Sequence, residues 1–91
     1  MIEEINLQKL QKLVNNSLKV VGRKQVLKAI IFSLDRTWCV VVAKDAKADV
    51  VDPILDLCKT KKVQVYLVPS KRELGNIAGV DVEASAIALL N

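Results

Sequence analysis

The sequence predicts a single α/β domain, residues 1–91, built as a three-layer α-β-α sandwich. Three observations carry this reading. Apolar residues recur at helix-like and strand-like periods in alternation along the chain, the pattern of helices layered on a sheet. The run Trp38 to Ala43 is apolar at every position and rich in β-branched residues, which suits a central strand covered on both faces. A chain of 91 residues that is 52% apolar and 26% charged can bury a real core and has ordinary charge for a soluble domain.

Taken in order, Ile5, Leu7, Leu10, Leu13 and Val14 form a helical stripe with Lys9 and Lys12 opposite, and the poor helix formers Asn15, Asn16 and Ser17 end it. Leu18 to Val21 is a short extended piece. A second helix runs from Arg23 to Leu34, its apolar face made by Val26, Leu27, Ala29, Ile30, Ile31 and Leu34, and Asp35-Arg36-Thr37 turns out of it. The strand Trp38–Ala43 leads through the loop Lys44–Lys47 into a third helix. Asp49 is its expected N-cap, and Pro53 falls early enough to be tolerated. Val51, Ile54, Leu55 and Cys58 give this helix its buried face, and Lys59, Lys61 and Lys62 suit the negative end of its dipole. Val63–Val68 is a second clear strand, ended by Pro69. Ser70-Lys71-Arg72-Glu73 has the form of a capping box; Leu74, Ile77 and Ala78 are the expected buried residues, and Gly79 the residue that closes the helix. Ala84–Leu90 completes the chain as a strand. The longest apolar runs are far too short to span a membrane as helices, so no membrane partner is expected.

Composition excludes several chemistries. There is no histidine, the commonest general base and metal ligand, and no GxGxxG or Walker pattern. Cys39 and Cys58 are far apart and lie in apolar stretches, so no structural zinc site, catalytic thiol or other metal site is expected. They read as reduced core cysteines of a cytoplasmic protein. Asp45, after the central strand, has the position of a phosphoacceptor or carboxylate ligand. No further acids stand at the strand ends near residues 20 and 68, so it reads as a loop residue bonded to local backbone. Phe32, Trp38 and Tyr66 are the only aromatic residues, too few for a base-stacking platform. The sequence thus points to a non-enzymatic protein without a cofactor.

Charge is segregated. The net charge is +4, and residues 5–34 hold Lys9, Lys12, Lys19, Arg23, Lys24 and Lys28 but no acid. Residues 35–58 are net acidic, and 59–72 basic again. This favours a polyanionic partner, most plausibly nucleic acid. Within the basic segment, Gly22 opens a helix that begins with Arg23, Lys24 and Gln25 and carries Lys28 one turn on. Acids are favoured at a helix N-terminus, and Lys24 and Lys28 repel each other at i,i+4. Cations in this place fit either an anion arriving from outside or solvated lysines on a helix that tertiary packing holds. Lysine donors suit guanine O6 and N7, and glutamine can donate and accept at base edges. Lys19 and Arg23 are placed to hold phosphates.

Val21-Gly22-Arg23-Lys24-Gln25-Val26-Leu27-Lys28-Ala29 resembles the RNA-binding segment of the L-seven-Ae and L-thirty-e ribosomal protein family, above all its small bacterial members with a Gly-x-Lys-Gln-x-x-Lys pattern. Val41–Ala46 resembles the family's central strand and following loop. Val68–Gly75, followed by Ala78–Val82, resembles its last helix and loop. The resemblance implies a four-stranded mixed sheet and recognition of a kink-turn, an RNA helix sharply bent at tandem sheared G·A pairs. By the same resemblance Gly22 allows close backbone approach, and Lys24, Gln25 and Lys28 read guanine edges in a widened major groove. Lys44 joins the RNA-binding residues from the central loop. Val80, Asp81, Val82, Glu83 and Ala84 pack an extruded nucleotide. Ordinary A-form RNA hides its major-groove edges, so the distortion is what makes such reading possible.

Two positions depart from the family pattern: Lys24-Gln25 stands where archaeal members have Asn-Glu, and Glu83 where many have proline. The expected protein is a monomer that binds structured RNA, ribosome-associated or ribosomal-protein-like. The alternatives are a protein-interaction module of the same fold, whose basic face meets an acidic protein, and a protein that touches ribosomal RNA only through phosphates.

Overall fold

The computed structural model describes residues 2–91. Among these, the elements are β1 (Ile2–Glu4), α1 (Leu7–Asn15), β2 (Leu18–Val21), α2 (Arg23–Phe32), β3 (Thr37–Ala43), α3 (Ala48–Lys61), β4 (Gln64–Val68), α4 (Lys71–Ala78) and β5 (Ala86–Leu90). The strands form one mixed sheet in the order β1-β4-β3-β5-β2. β1, β4 and β3 are parallel, and β5 lies antiparallel between β3 and β2. α1 and α4 pack on one face, α2 and α3 on the other. The α-β-α layering matches expectation, but the sheet has five strands and not four. The extra strand, β1, has three exposed residues and no apolar alternation, so nothing in its own sequence marks it. It exists because β4 offers it an edge: Ile2, Glu3 and Glu4 pair with Val65, Tyr66 and Leu67.

The period-2 alternation of the inner strands divides the core between the two faces. Val40 and Val42 of β3 and Ala86, Ala88 and Leu90 of β5 face Val26, Ala29 and Ile30 of α2 and Val51, Ile54 and Cys58 of α3. Cys39, Val41 and Ala43 with Ile87 and Leu89 face Leu10 and Val14 of α1 and Leu74 and Ala78 of α4. Leu10, Ile30, Ile54, Leu74, Ile87 and Leu89 are fully buried, and each such side chain contributes about 1.5–3 kcal/mol relative to exposure. Both cysteines are buried and free. Burial pushes the Cys39 thiol up to about 12 and the Cys58 thiol to about 11, so neither supplies a thiolate nucleophile at neutral pH.

Several boundaries differ from expectation for identifiable reasons. β3 begins at Thr37, where a turn was expected. Its pairing shifts from Thr37↔Leu90 to Cys39↔Leu89, leaving Trp38 as an extra residue. The alternation breaks there, and Trp38 and Cys39 both pack toward α1 and α4. Thr37 Oγ1 lies 3.2 Å from the Ala29 carbonyl and 2.9 Å from that of Ser33, satisfying the end of α2. α2 stops at Phe32, and Ile31 and Leu34 are exposed, outside the apolar face expected of them. α2 lies against β5 and β2, at the sheet's edge, so no further strand covers its outer side. Ile77 is half-buried and not fully buried. Ala84 and Ser85 precede β5 and do not belong to it.

Helix ends follow local chemistry. Asn6 caps α1, accepting from the amides of Gln8 and Lys9. Lys47, not Asp49, is the N-cap of α3; Asp49 stands inside its first turn, where the dipole favours it. Ser70 caps α4 by accepting from the Glu73 amide, but the reciprocal half of the expected capping box is not made, and Glu73 Oε2 is buried without a partner. At the end of α4, Val80 N–H donates to the Gly75 carbonyl and Gly79 N–H to Asn76, a Schellman closure with Gly79 at φ +75°. α3 closes in the same way through Val63 to Cys58 and Lys62 to Lys59, but its left-handed residue is Lys62, at φ 60°. A lysine is strained there, so Lys62→Gly is expected to raise stability by about 0.5–1 kcal/mol in urea unfolding.

Candidate nucleic-acid interface

One edge of the sandwich collects the carboxyl ends of β1, β2, β3 and β4 and the start of β5. Main-chain hydrogen bonds tie these ends in series. Gly22 N–H donates to the Ala86 carbonyl (3.0 Å), Ala43 N–H to Ser85 (3.0 Å), Lys44 N–H to Val68 (2.9 Å) and Ala84 N–H to Lys71 (3.1 Å). Asp45 Oδ1 accepts from the Lys71 amide at 2.8 Å. The expectation that Asp45 bonds local backbone is therefore wrong in its partner: the amide lies 26 residues away and opens α4. The bond supplies an acceptor to a helix N-terminal N–H and fixes the β3–α3 loop against α4.

The start of α2 differs from every other helix start. Gly22 sits at φ +100°, ψ 157°, a conformation essentially restricted to glycine. Its carbonyl accepts from Val26 N–H and its N–H is used by Ala86, but there is no side-chain cap and no acid in the first turn. α1 and α4 have side-chain caps, and α3 has Asp49. The first amides of α2 are therefore left uncapped by any side chain, and the side chains of Arg23, Lys24, Gln25 and Lys28 are all exposed. A Cβ built on Gly22 meets nothing within 4 Å, so the surface there is open to close approach.

The other predicted residues divide. Lys19 is exposed, but the alternation of β2 puts it with Val21 on the α1–α4 face, opposite α2. Lys44 is exposed and paired with Glu4 of β1. In the α4–β5 loop, Asp81, Val82 and Glu83 are exposed and Val80 is half-buried, whereas Ala84 is 3% exposed and belongs to the core. Its expected place in a nucleotide-contacting surface is corrected by that burial. Glu83 turns toward Lys71 at 3.8 Å. Arg72 and Asn76 of α4, which sequence reasoning missed, join Val80–Glu83 around a cavity of about 360 Å³. Their i,i+4 spacing on the helix was the available signal. A larger cavity of about 740 Å³ lies elsewhere, between the end of α3 and the start of β4, with no connection to these residues. Among the described residues, no three His, Cys, Asp or Glu side chains gather as a metal site, and no helix is long and apolar enough to cross a membrane.

The fold is that of a small α-β-α protein of the L7Ae-like type. The chain belongs to the ribosomal protein L7Ae/L30e/S12e/Gadd45 family, whose model matches residues 5–91. It is 37% identical over 70 residues to an RNA-binding protein of Caldanaerobacter subterraneus subsp. tengcongensis, covering 77% of this chain and 83% of that one. The same identity and coverages hold for an RNA-binding protein of Halalkalibacterium halodurans. Among solved structures, a Giardia lamblia 15.5kD RNA binding protein superposes with a TM-score of 0.78 at 21% identity, over 93% of this chain and 70% of that one, a likeness of fold.

The α4–β5 loop is held by close packing. A Cβ on Gly75 would stand 2.2 Å from the Val82 carbonyl oxygen. Gly75→Ala is expected to lower stability by about 1–3 kcal/mol in urea unfolding, because backbone on both sides must move.

Proposed function

We propose that the protein is a non-enzymatic RNA-binding protein that recognises and stabilises kink-turn RNA, acting as a monomer in the cytoplasm and associated with the ribosome. The observation that carries this reading is the start of α2: a glycine-only backbone conformation, no cap, no first-turn acid and three exposed cations around an exposed glutamine. The names of the bacterial relatives support the RNA part of it.

In this reading the backbone at Gly22 approaches the RNA closely, and the uncapped amides and Arg23 hold phosphate. Lys24, Gln25 and Lys28 present donors to guanine edges exposed by the bend. Val82, 70% exposed, meets an extruded nucleotide together with Val80 and Asp81. The neighbouring cavity beside Arg72 and Asn76 gives that nucleotide room.

A gel-shift comparison of a kink-turn RNA with the same stem lacking its G·A pairs tests the proposal. Preferential binding of the kinked RNA is expected; equal binding of both would sink specific recognition. Pull-down of an acidic protein that survives ribonuclease, without kink-turn binding, would favour the interaction-module reading. Lys28→Ala is expected to cost about 1–3 kcal/mol in the same assay, as other base-edge contacts do. Lys9→Ala, on α1 and outside the α2 contacts, should leave binding unchanged.

A further inference from the structure

The cations at the interface fall into two sets. Arg23, Lys24 and Lys28 of α2 are in none of the ion pairs among the described residues. Lys44 and Lys71 are each held by a carboxylate. Glu4 reaches Lys44 from the end of β1, across the end of β4, which lies between β1 and β3. Glu83 reaches back from the α4–β5 loop to the first residue of α4. Both acids are mostly solvated, with side chains 67% and 62% exposed. Exposed ion pairs of this kind contribute little stability.

Their effect on an approaching polyanion is larger. Sequence-independent binding to a duplex comes almost entirely from lysine and arginine neutralising phosphates and releasing counterions. A lysine already facing a carboxylate gives less of this gain: the phosphate must displace the acid or sit beside a like charge. Two of the cations at this edge are thereby withdrawn from indiscriminate binding, while those of α2 remain available.

We propose that Glu4 and Glu83 are specificity-determining residues: they neutralise Lys44 and Lys71, weaken the binding of undistorted duplex RNA, and leave the RNA anchored at α2. The inference rests on the kink-turn reading, in which affinity for the bent RNA comes from base-edge contacts at α2. Lys44 is then a silenced cation and not a phosphate contact.

The test uses Glu4→Gln, Glu83→Gln and the double variant, each isosteric and at an exposed position. Binding to the kink-turn RNA and to a plain stem is measured over a range of salt concentrations. Each variant should bind the plain stem about fivefold to tenfold more tightly at ~0.1 M salt, and steepen its log–log salt dependence by about one unit per lysine freed. Affinity of the Glu4→Gln protein for the kink-turn RNA should rise less than about twofold, because Glu4 stands on β1, at the sheet edge opposite β2 and α2, and the base-edge contacts of α2 are unchanged. Adding Lys44→Gln to Glu4→Gln should return stem binding to the wild-type level, which a loosened β1 would not do. Unchanged stem binding overturns the inference, as does an equal gain for both RNAs or a gain that persists in the Glu4→Gln/Lys44→Gln protein. Failure of the kink-turn reading is separately visible, as equal binding of the two RNAs by the wild-type protein.

Discussion

The structure depends on where β5 lies. This last strand is paired on both sides, antiparallel to β3 and to β2, and all five of its residues are buried. Without it, β2 has no partner and α2 loses the strand it packs against most. Ala86 and Ala88 face α2 and α3, and Ile87 and Leu89 fill the opposite layer, so one short strand serves both halves of the core. Its pairings join residues far apart in the chain, so loop-closure entropy is spent before these contacts form.

β5 also builds the candidate interface. Its start is bonded to Gly22 on one side, and the adjacent Ser85 is bonded to Ala43 on the other. That places the start of α2 beside the loop that precedes β5. The Asp45–Lys71 and Lys71–Ala84 bonds then lock the β3–α3 loop and α4 into the same rim. Side chains on these elements are therefore presented by a connected backbone frame, which limits the ordering cost of binding.

Electrostatics divides that rim. An acid at the start of α2 would interact favourably with its dipole, and a serine or asparagine cap would satisfy an amide. Neither is present, and Gly22 in its φ +100° conformation offers no side chain at all. Local helix stability is given up, and the core contacts of Val26, Ala29 and Ile30 offset the loss. On the other side of the rim the opposite choice is made, and Lys44 and Lys71 are paired with Glu4 and Glu83. Similar cations thus have different availability because of the acids that the fold brings to them.

The layering and most of the elements are legible in the chain's local patterns. The continuous apolar run Trp38–Ala43, the helical spacing from Val51 to Cys58 and the cap at Ser70 are local patterns, and local patterns can be read from neighbouring residues. The cationic start of α2 was legible for the same reason, since its oddity lies in consecutive residues. Long-range pairing sets the fifth strand, which β4 templates, and the bulge at Trp38, which depends on its register with β5. It also placed Lys19 on the face opposite α2, buried Ala84, left Ile31 and Leu34 exposed, and gave Asp45, Lys44 and Glu83 their partners. Each of these depends on strand order and on which edge a helix covers, quantities set by pairing between distant segments that no local period encodes.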